Sequence, residues 1–297
     1  MIAKLFPELV SGIWAIKRSS AEGYLPLIIS FLKNPQELSG HDFSEEREAN
    51  RKMTAAVMSA NKAFEYNELT DHDGRLGFVP ENSIVAITVS GAITKYNQFC
   101  GPVGMETKIK QLQLLDSNEN VAAIVIKIDS PGGEGYAARA MADAIQRANK
   151  PVIAFVNDQA ASAGYMIASA ADEIYANSEL AEIGSIGTYV NVADFRQQLE
   201  KEGIKLHEIY ATASVDKNKE YYEAIEGNYE PMRAFANSFN DKFIAMVNAG
   251  RDGKLTADDK TWGTGKVFYA PKALELGLID GILSYEETLL TIFENLI

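Results

Sequence analysis

Asn157-Asp158-Gln159-Ala160-Ala161-Ser162-Ala163-Gly164-Tyr165 is the stretch on which the reading of this chain turns. A hydrophobic strand, Pro151 to Val156, leads into it, and a small-residue helix, Gly164 to Ala171, leads out. That sequence of elements places Ser162 at the first turn of a helix, beside free backbone N–H groups and the positive end of the helix dipole. Such a position suits a nucleophile whose reaction creates an oxyanion. It equally suits a helix cap, the usual role of serine before a helix. The stretch alone leaves both open.

Working outward, strand and helix alternate. Ile84 to Val89 is a short apolar run ending at Gly91, and Thr107 to Leu115 carries Ile109, Leu112 and Leu115 on one helical face. Val121 to Ile128 is the strongest strand of the chain. Asp129-Ser130-Pro131-Gly132-Gly133 follows it at once, and then a helix from Glu134 to Ala148 with Ala138, Met141, Ala142 and Ile145 at helical spacing. Beyond the central helix come a strand at Glu173–Ala176, the turn Gly184-Ser185-Ile186-Gly187, an apolar run Thr188–Val192, a helix Ala193–Glu202 and a strand Leu206–Ala211. This alternation predicts right-handed βαβ units on a largely parallel sheet, an α/β fold. A long helical region breaks near Gly227–Pro231. Its second half aligns Met232, Phe235, Phe239, Phe243 and Met246, a stripe for core or subunit packing. A helix Ala270–Leu276, closed by Gly277, and a strand Leu278–Leu283 end the pattern.

Residues 1–80 read differently. A polar stretch, Asn34–Lys52, precedes a helix predicted to begin after Ser44 and to run through Met53, Val57 and Phe64. The expectation is an N-terminal, mainly helical extension (1–80) followed by the α/β domain (81–297).

Composition bounds the function. The 297 residues carry a formal net charge of −13, which disfavours nucleic-acid and anionic-membrane surfaces, since both call for Lys/Arg patches. The single cysteine, Cys100, makes no internal disulfide. The apolar run Tyr24–Leu32 is interrupted by Pro26 and falls short of the roughly 20 residues of a membrane helix. No secretory signal is read, so a cytoplasmic protein is expected.

The loops after two neighbouring parallel strands, Ser130-Pro131-Gly132-Gly133 and the Ser162 turn, emerge on the same side of the sheet, where ligands usually bind. Pro131 fixes a backbone angle and the glycines let the main chain come close to a bound group. An N–H from Gly132 or Gly133 facing the N–H of Ala163 would make an oxyanion hole; otherwise Pro-Gly-Gly is only a tight turn. The glycines make neither a P-loop nor a dinucleotide fingerprint, and no cofactor or metal is expected. A nucleophilic serine needs a base. His41 and His72 lie in the polar N-terminal material, and His207 lies inside a predicted strand. Lysine serves when burial favours its neutral form. Lys217, in the polar loop Thr212–Lys219, is a candidate at the same rim; alone, that loop reads as a solvated surface.

The quoted elements resemble the signal-peptide-peptidase-A-like serine peptidases, a branch of the ClpP/crotonase superfamily, over about residues 82–283. The resemblance rests on Gly91-Ala92-Ile93, Asp129 to Gly133, Ala161 to Tyr165, Ile183 to Gly187, and Ala273-Leu274-Glu275-Leu276-Gly277-Leu278-Ile279-Asp280, in that order. It implies a ClpP/crotonase-like repeated ββα/βαβ core and a Ser–Lys dyad. Ser162 matches the nucleophile. Gly132 or Gly133, with Ala163, matches the oxyanion hole, and Ser185 matches a serine that orients the lysine. Lys217 falls where the lysine belongs if the loop is about two residues longer than usual; an ungapped match from Gly203 places Val215 there, and Lys219 is the alternative. The resemblance also implies a homo-oligomer in which lysine and serine come from adjacent subunits, with the Met232–Met246 stripe as a candidate interface.

Among these peptidases the chain is most similar to the tailed-phage head-maturation (capsid assembly) proteases, several of which carry an N-terminal stretch like Ile13-Trp14-Ala15-Ile16. That similarity implies a polypeptide substrate among scaffold and capsid proteins, and a phage prohead as a possible location. Other readings of the fold are signal-peptide-peptidase-like degradation in the cytoplasm, a crotonase-like acyl-CoA enzyme, and a non-catalytic scaffold subunit. A ClpP-like Ser-His-Asp site wants a histidine about 25 residues after the serine, and none occurs between 163 and 206.

Overall fold

A computed structural model describes residues 13–16, 52–58, 63–69, 76–97, 102–201, 203–205 and 207–296. His41, His72, Cys100, the Tyr24–Leu32 run and the start of the helix expected after Ser44 lie outside the described residues. In chain order come β1 (Ile13–Ile16), β2 (Met53–Met58), β3 (Phe64–Glu68), β4 (Ser83–Ser90) and α1 (Met105–Asp116). The central part follows: β5 (Val121–Ser130), β6 (Gly132–Glu134), α2 (Gly135–Gln146), β7 (Val152–Ala161), α3 (Ala163–Ala168), β8 (Glu173–Ala176) and β9 (Glu182–Gly184). Next are β10 (Tyr189–Val190), α4 (Arg196–Lys201), α5 (Lys219–Ile225) and α6 (Glu230–Gly250). The last are α7 (Asp259–Trp262), β11 (Val267–Tyr269), α8 (Ala270–Glu275), β12 (Gly281–Ile282) and α9 (Tyr285–Leu296). The chain divides into two units, residues 15–187 with 243–297, and residues 1–14 with 188–242.

The larger unit is built on the expected sheet. β4, β5 and β7 run parallel at its centre. β8 and β9 both pair in parallel with β7, β8 along Ile153–Val156 and β9 along Gln159–Ala161. β12 extends β8 in parallel and β11 pairs antiparallel with β9. The near-continuous apolar run of β5 is what a strand covered on both faces requires. Ala123 and Val125 pack with Phe155 of β7 and with Leu289 and Ile292 of α9. The alternate residues Ile124, Ile126 and Ile128 are equally buried, and α1 packs against β4 and β5. Each such buried Val or Ile contributes about 1.5–3 kcal/mol relative to exposure.

On the far edge β2 pairs antiparallel with β4, and β3 with β2, so the sheet continues across residue 80. This corrects the expectation of a mainly helical extension where the chain is described: residues 53–58 and 64–68 are strands. Met53, Val57 and Phe64 sit at helical spacing, but β2 lies between two neighbours in the sheet, which buries the consecutive Ala55 and Ala56. Sheet partners decide the outcome for so short a segment.

In the smaller unit, β10 pairs antiparallel with Ile13 and Trp14. Tyr221 Oη donates to Ala193 O (3.0 Å), and Arg196 bonds both Asp194 and Glu226 at the surface. Ala224 is the one fully buried apolar residue among its described residues. The strand expected over Leu206–Ala211 is absent among the described residues 207–211, which are exposed irregular chain, and so the histidine expected inside it, His207, is exposed too.

Candidate active site

β7 carries the backbone to Ser162 and then stops because the next residue leaves the extended region. Ser162 adopts φ 56° and ψ −117°, a conformation costly for any residue with a Cβ. It reverses the chain between β7 and α3, whose first residue is Ala163. Neighbours hold this turn from several directions. The Ser162 N–H donates to Gly184 O (2.7 Å), and Ser162 O accepts from Met166 N–H (2.9 Å). The register between β5 and β7 slips between Ile128 and Ser130, so Ser130 lies beside Ala160. The Ser162 side chain makes no capping bond, which decides against the helix-cap reading of this serine. The residue is only 1% exposed.

The Ser130–Gly133 segment lies against the same turn. A Cβ on Gly164, in the first turn of α3, would stand 3.1 Å from Ser130 O and 3.3 Å from Ser130 Cβ, so the absence of a side chain there permits the contact. Gly132 has φ 106°, and its N–H donates to Ser130 Oγ (3.2 Å). A Cβ on Gly133 would overlap the backbone of Ile93. Ile93 is pinned there because its N–H donates to Gly132 O (2.9 Å) and its carbonyl accepts from Glu134 N–H (2.8 Å). Asp129 precedes this loop; burial pushes its carboxyl up, the nearby Asp158 carboxylate adds to that, and the Gln159 N–H opposes it. Successive strand residues face opposite ways, so Asp129 points away from the Ser130 side.

On the other side of the turn, Ser185 follows Gly184 with φ 51°, and its N–H donates to Lys266 O (2.6 Å). Gly265 N–H donates to Ile186 O (2.8 Å), which completes a brace behind Ser185. Ser162, Ala163 and Ser185 therefore lie on strand ends adjacent in the sheet of the larger unit, and Gly132 and Gly133, in β6 just beyond the end of β5, belong to the same unit.

The helix behind Ser162 is anchored from below. Buried Tyr165 donates its hydroxyl to Leu278 O (2.7 Å), and burial raises its ionisation well above the usual phenol range. Arg251, 1% exposed, donates to Gly277 O and forks onto Asp280 at 2.7 and 3.1 Å. Lys254 also pairs with Asp280 (2.9 Å), which accepts from Ile174 N–H (2.8 Å). Burial by itself would raise the Asp280 carboxyl, but the Arg251 and Lys254 bonds hold it below the usual carboxylate range. The late Leu276-Gly277-Leu278-Ile279-Asp280 stretch is thus a clamp on the sheet. Arg251 was not legible in the sequence, because an arginine after a helix-ending glycine reads as surface.

Lys217 belongs to the smaller unit, on an exposed turn in which its N–H donates to Ser214 O (3.2 Å). Lys219, also exposed, pairs with Asp216 (3.6 Å) and opens α5. Among the described residues no group of His, Cys, Asp and Glu is arranged to hold a metal. Nor is any helix there long and apolar enough to cross a membrane.

Comparison with known proteins gives a family. The model described as Peptidase family S49 matches residues 144–295, about half of the chain, a span that holds Ser162, Ser185 and Lys217 but not Gly132 and Gly133. Protease 4 of Haemophilus influenzae is 28% identical over 209 residues, covering 69% of this chain and 34% of that protein. The putative signal peptide peptidase SppA of Enterococcus faecium is 26% identical over 230 residues, covering 75% and 66%. Capsid assembly protease C of Escherichia phage lambda is 28% identical over 211 residues, covering 68% and 47%. The chain spans from about a third to just under two thirds of the length of these relatives.

Proposed function

The chain belongs to peptidase family S49, and from that premise we propose that it is a serine endopeptidase with Ser162 as nucleophile. The observation that carries this reading is the φ 56°, ψ −117° turn of Ser162 between β7 and α3. Strain of this kind persists only where the surroundings over-determine it, and a strained strand-to-helix turn is the device that presents a nucleophilic serine above a sheet. The Ser162 Oγ attacks the scissile carbonyl; the N–H groups of Gly133 and Ala163 receive the oxyanion. Gly133 is preferred to Gly132, whose N–H is already bonded to Ser130.

Lys217 is the proposed base of a Ser–Lys dyad, oriented by Ser185. Lys219 is the weaker candidate because it pairs with Asp216. A lysine acts as base only when desolvated. Lys217 is exposed on the single chain, so an adjacent subunit of a homo-oligomer would supply that burial, with the partly exposed Met232, Phe235 and Phe239 of α6 as contact residues.

The substrate class proposed is scaffold and capsid polypeptide during phage head maturation, with the prohead as the place of action. The likeness to capsid assembly protease C and the Ile13–Ile16 stretch support it. Co-expression with a phage scaffold protein and a major capsid protein tests it. Wild type should cut them and Ser162→Ala should not. Uncut partners beside a wild type that cleaves other loosely folded proteins would point to general peptide clearance, the reading favoured by the likeness to the putative signal peptide peptidase.

A further inference from the structure

Ser130 is fully buried, and the family match begins after it. Its hydroxyl donates to Gly91 O (2.6 Å), and the same oxygen accepts from the Gly132 N–H (3.2 Å). One side chain therefore ties the turn after β4 to the loop after β5. Its backbone meanwhile touches the first turn of α3, where a Cβ on Gly164 would stand 3.1 Å from Ser130 O. We propose that Ser130 is a positioning residue of the oxyanion hole, a role that rests on Ser162 being the nucleophile. By holding the Gly132 N–H, Ser130 fixes the Pro131–Gly132 peptide plane, from which the next plane, carrying the Gly133 N–H, sets out relative to the Ala163 N–H. The Ile93 N–H bond to Gly132 O orients the Gly132–Gly133 plane itself, so Ser130 and Ile93 hold the two successive planes of this turn between them. Ser130 touches no substrate; it acts through Gly132.

The test compares wild type, Ser162→Ala and Ser130→Ala on a fluorogenic peptide that wild type cleaves, with a peptide boronate as mimic of the tetrahedral adduct. Misplacing one oxyanion donor should lower kcat of Ser130→Ala about ten- to a hundredfold while KM stays within about threefold. Boronate affinity should weaken by the same factor as kcat/KM, because only the transition state uses the hole. A folded Ser130→Ala with wild-type kcat and boronate affinity overturns the proposal. So does an equal loss of affinity for substrate and boronate, the mark of a merely structural residue. If Ser130→Ala does not fold, Ser130→Cys, similar in size and a weak donor, is read the same way, with a smaller but parallel loss expected and wild-type values overturning the role. Ser162→Ala separates the two levels. If it still hydrolyses the peptide, the reading of the site falls and Ser130's role with it; if it is inactive while Ser130→Ala is normal, only the role of Ser130 falls.

Discussion

Two turns carry the proposed chemistry, and they could hardly be held more differently. The Ser162 turn is enclosed, bonded to β9 through Gly184, backed by Ser130 and anchored through Tyr165. The Lys217 turn is exposed and lies in a unit whose described residues bury a single apolar side chain, Ala224. Two arginines repeat the contrast. Arg251 grips Asp280 inside the larger unit, whereas Arg196 grips Asp194 and Glu226 in water. The proposed nucleophile is thus preformed by a dense core, whereas the proposed base sits on a surface that its own unit does little to shape.

The largest effect should separate the two lysines. Lys217→Ala is expected to lower peptidase activity by about 10²- to 10⁴-fold, as loss of a general base does, while Lys219→Ala stays within about twofold. Rates on a peptide substrate check this; equal losses, or a fully active Lys217→Ala, would break the assignment. Mixing Ser162→Ala with Lys217→Ala subunits should restore part of the activity if the dyad spans two subunits, and none if each chain completes its own.

Next in size is stability. Asp280→Asn leaves Arg251 buried against a neutral partner and should cost about 3–5 kcal/mol. Arg196→Ala should leave the unfolding midpoint indistinguishable from wild type, because exposed pairs contribute little. The same carboxylate gives a pH signature. The folded-state ionisation of Asp280 lies below its unfolded value. Its contribution is therefore complete above the ordinary carboxylate range and is lost as pH falls through that range toward the lower folded value. Thermal unfolding between neutral and acidic pH should show this loss in wild type and a shallower acid limb in Asp280→Asn.

The sequence made the central pattern legible because β4, β5 and β7 are eight to ten residues long, rich in Val and Ile, and followed within a few residues by glycine. Ser130 to Gly133, the Ser162 turn and the Gly184–Gly187 turn appear where the alternation places them, on neighbouring strand ends. Segments whose fate rests on partners were not legible. Residues 53–58 became an inner strand because β3 and β4 lie on either side, against a spacing that reads as helix. Residues 207–210 carry Ile209 and Tyr210, which favour strands, but have no sheet neighbour among the described residues, and Ile209 stands 95% exposed. The backbone strain at Ser162 and the Arg251–Asp280 clamp are properties of tertiary contact, which no local pattern encodes.

The smallest expected effect sharpens the meaning of that strain. Ser162→Gly should inactivate the protein yet raise its stability by about 1 kcal/mol, since glycine accepts positive φ without penalty. Chemical denaturation measures it, and an unchanged midpoint would mean that the turn is not strained.

The most direct test of the central claim is intact-mass analysis of wild type and Ser162→Ala after incubation with casein, a loosely folded protein. Wild type should yield fragments and Ser162→Ala none. Equal fragmentation by both would contradict the assignment of Ser162 as the nucleophile.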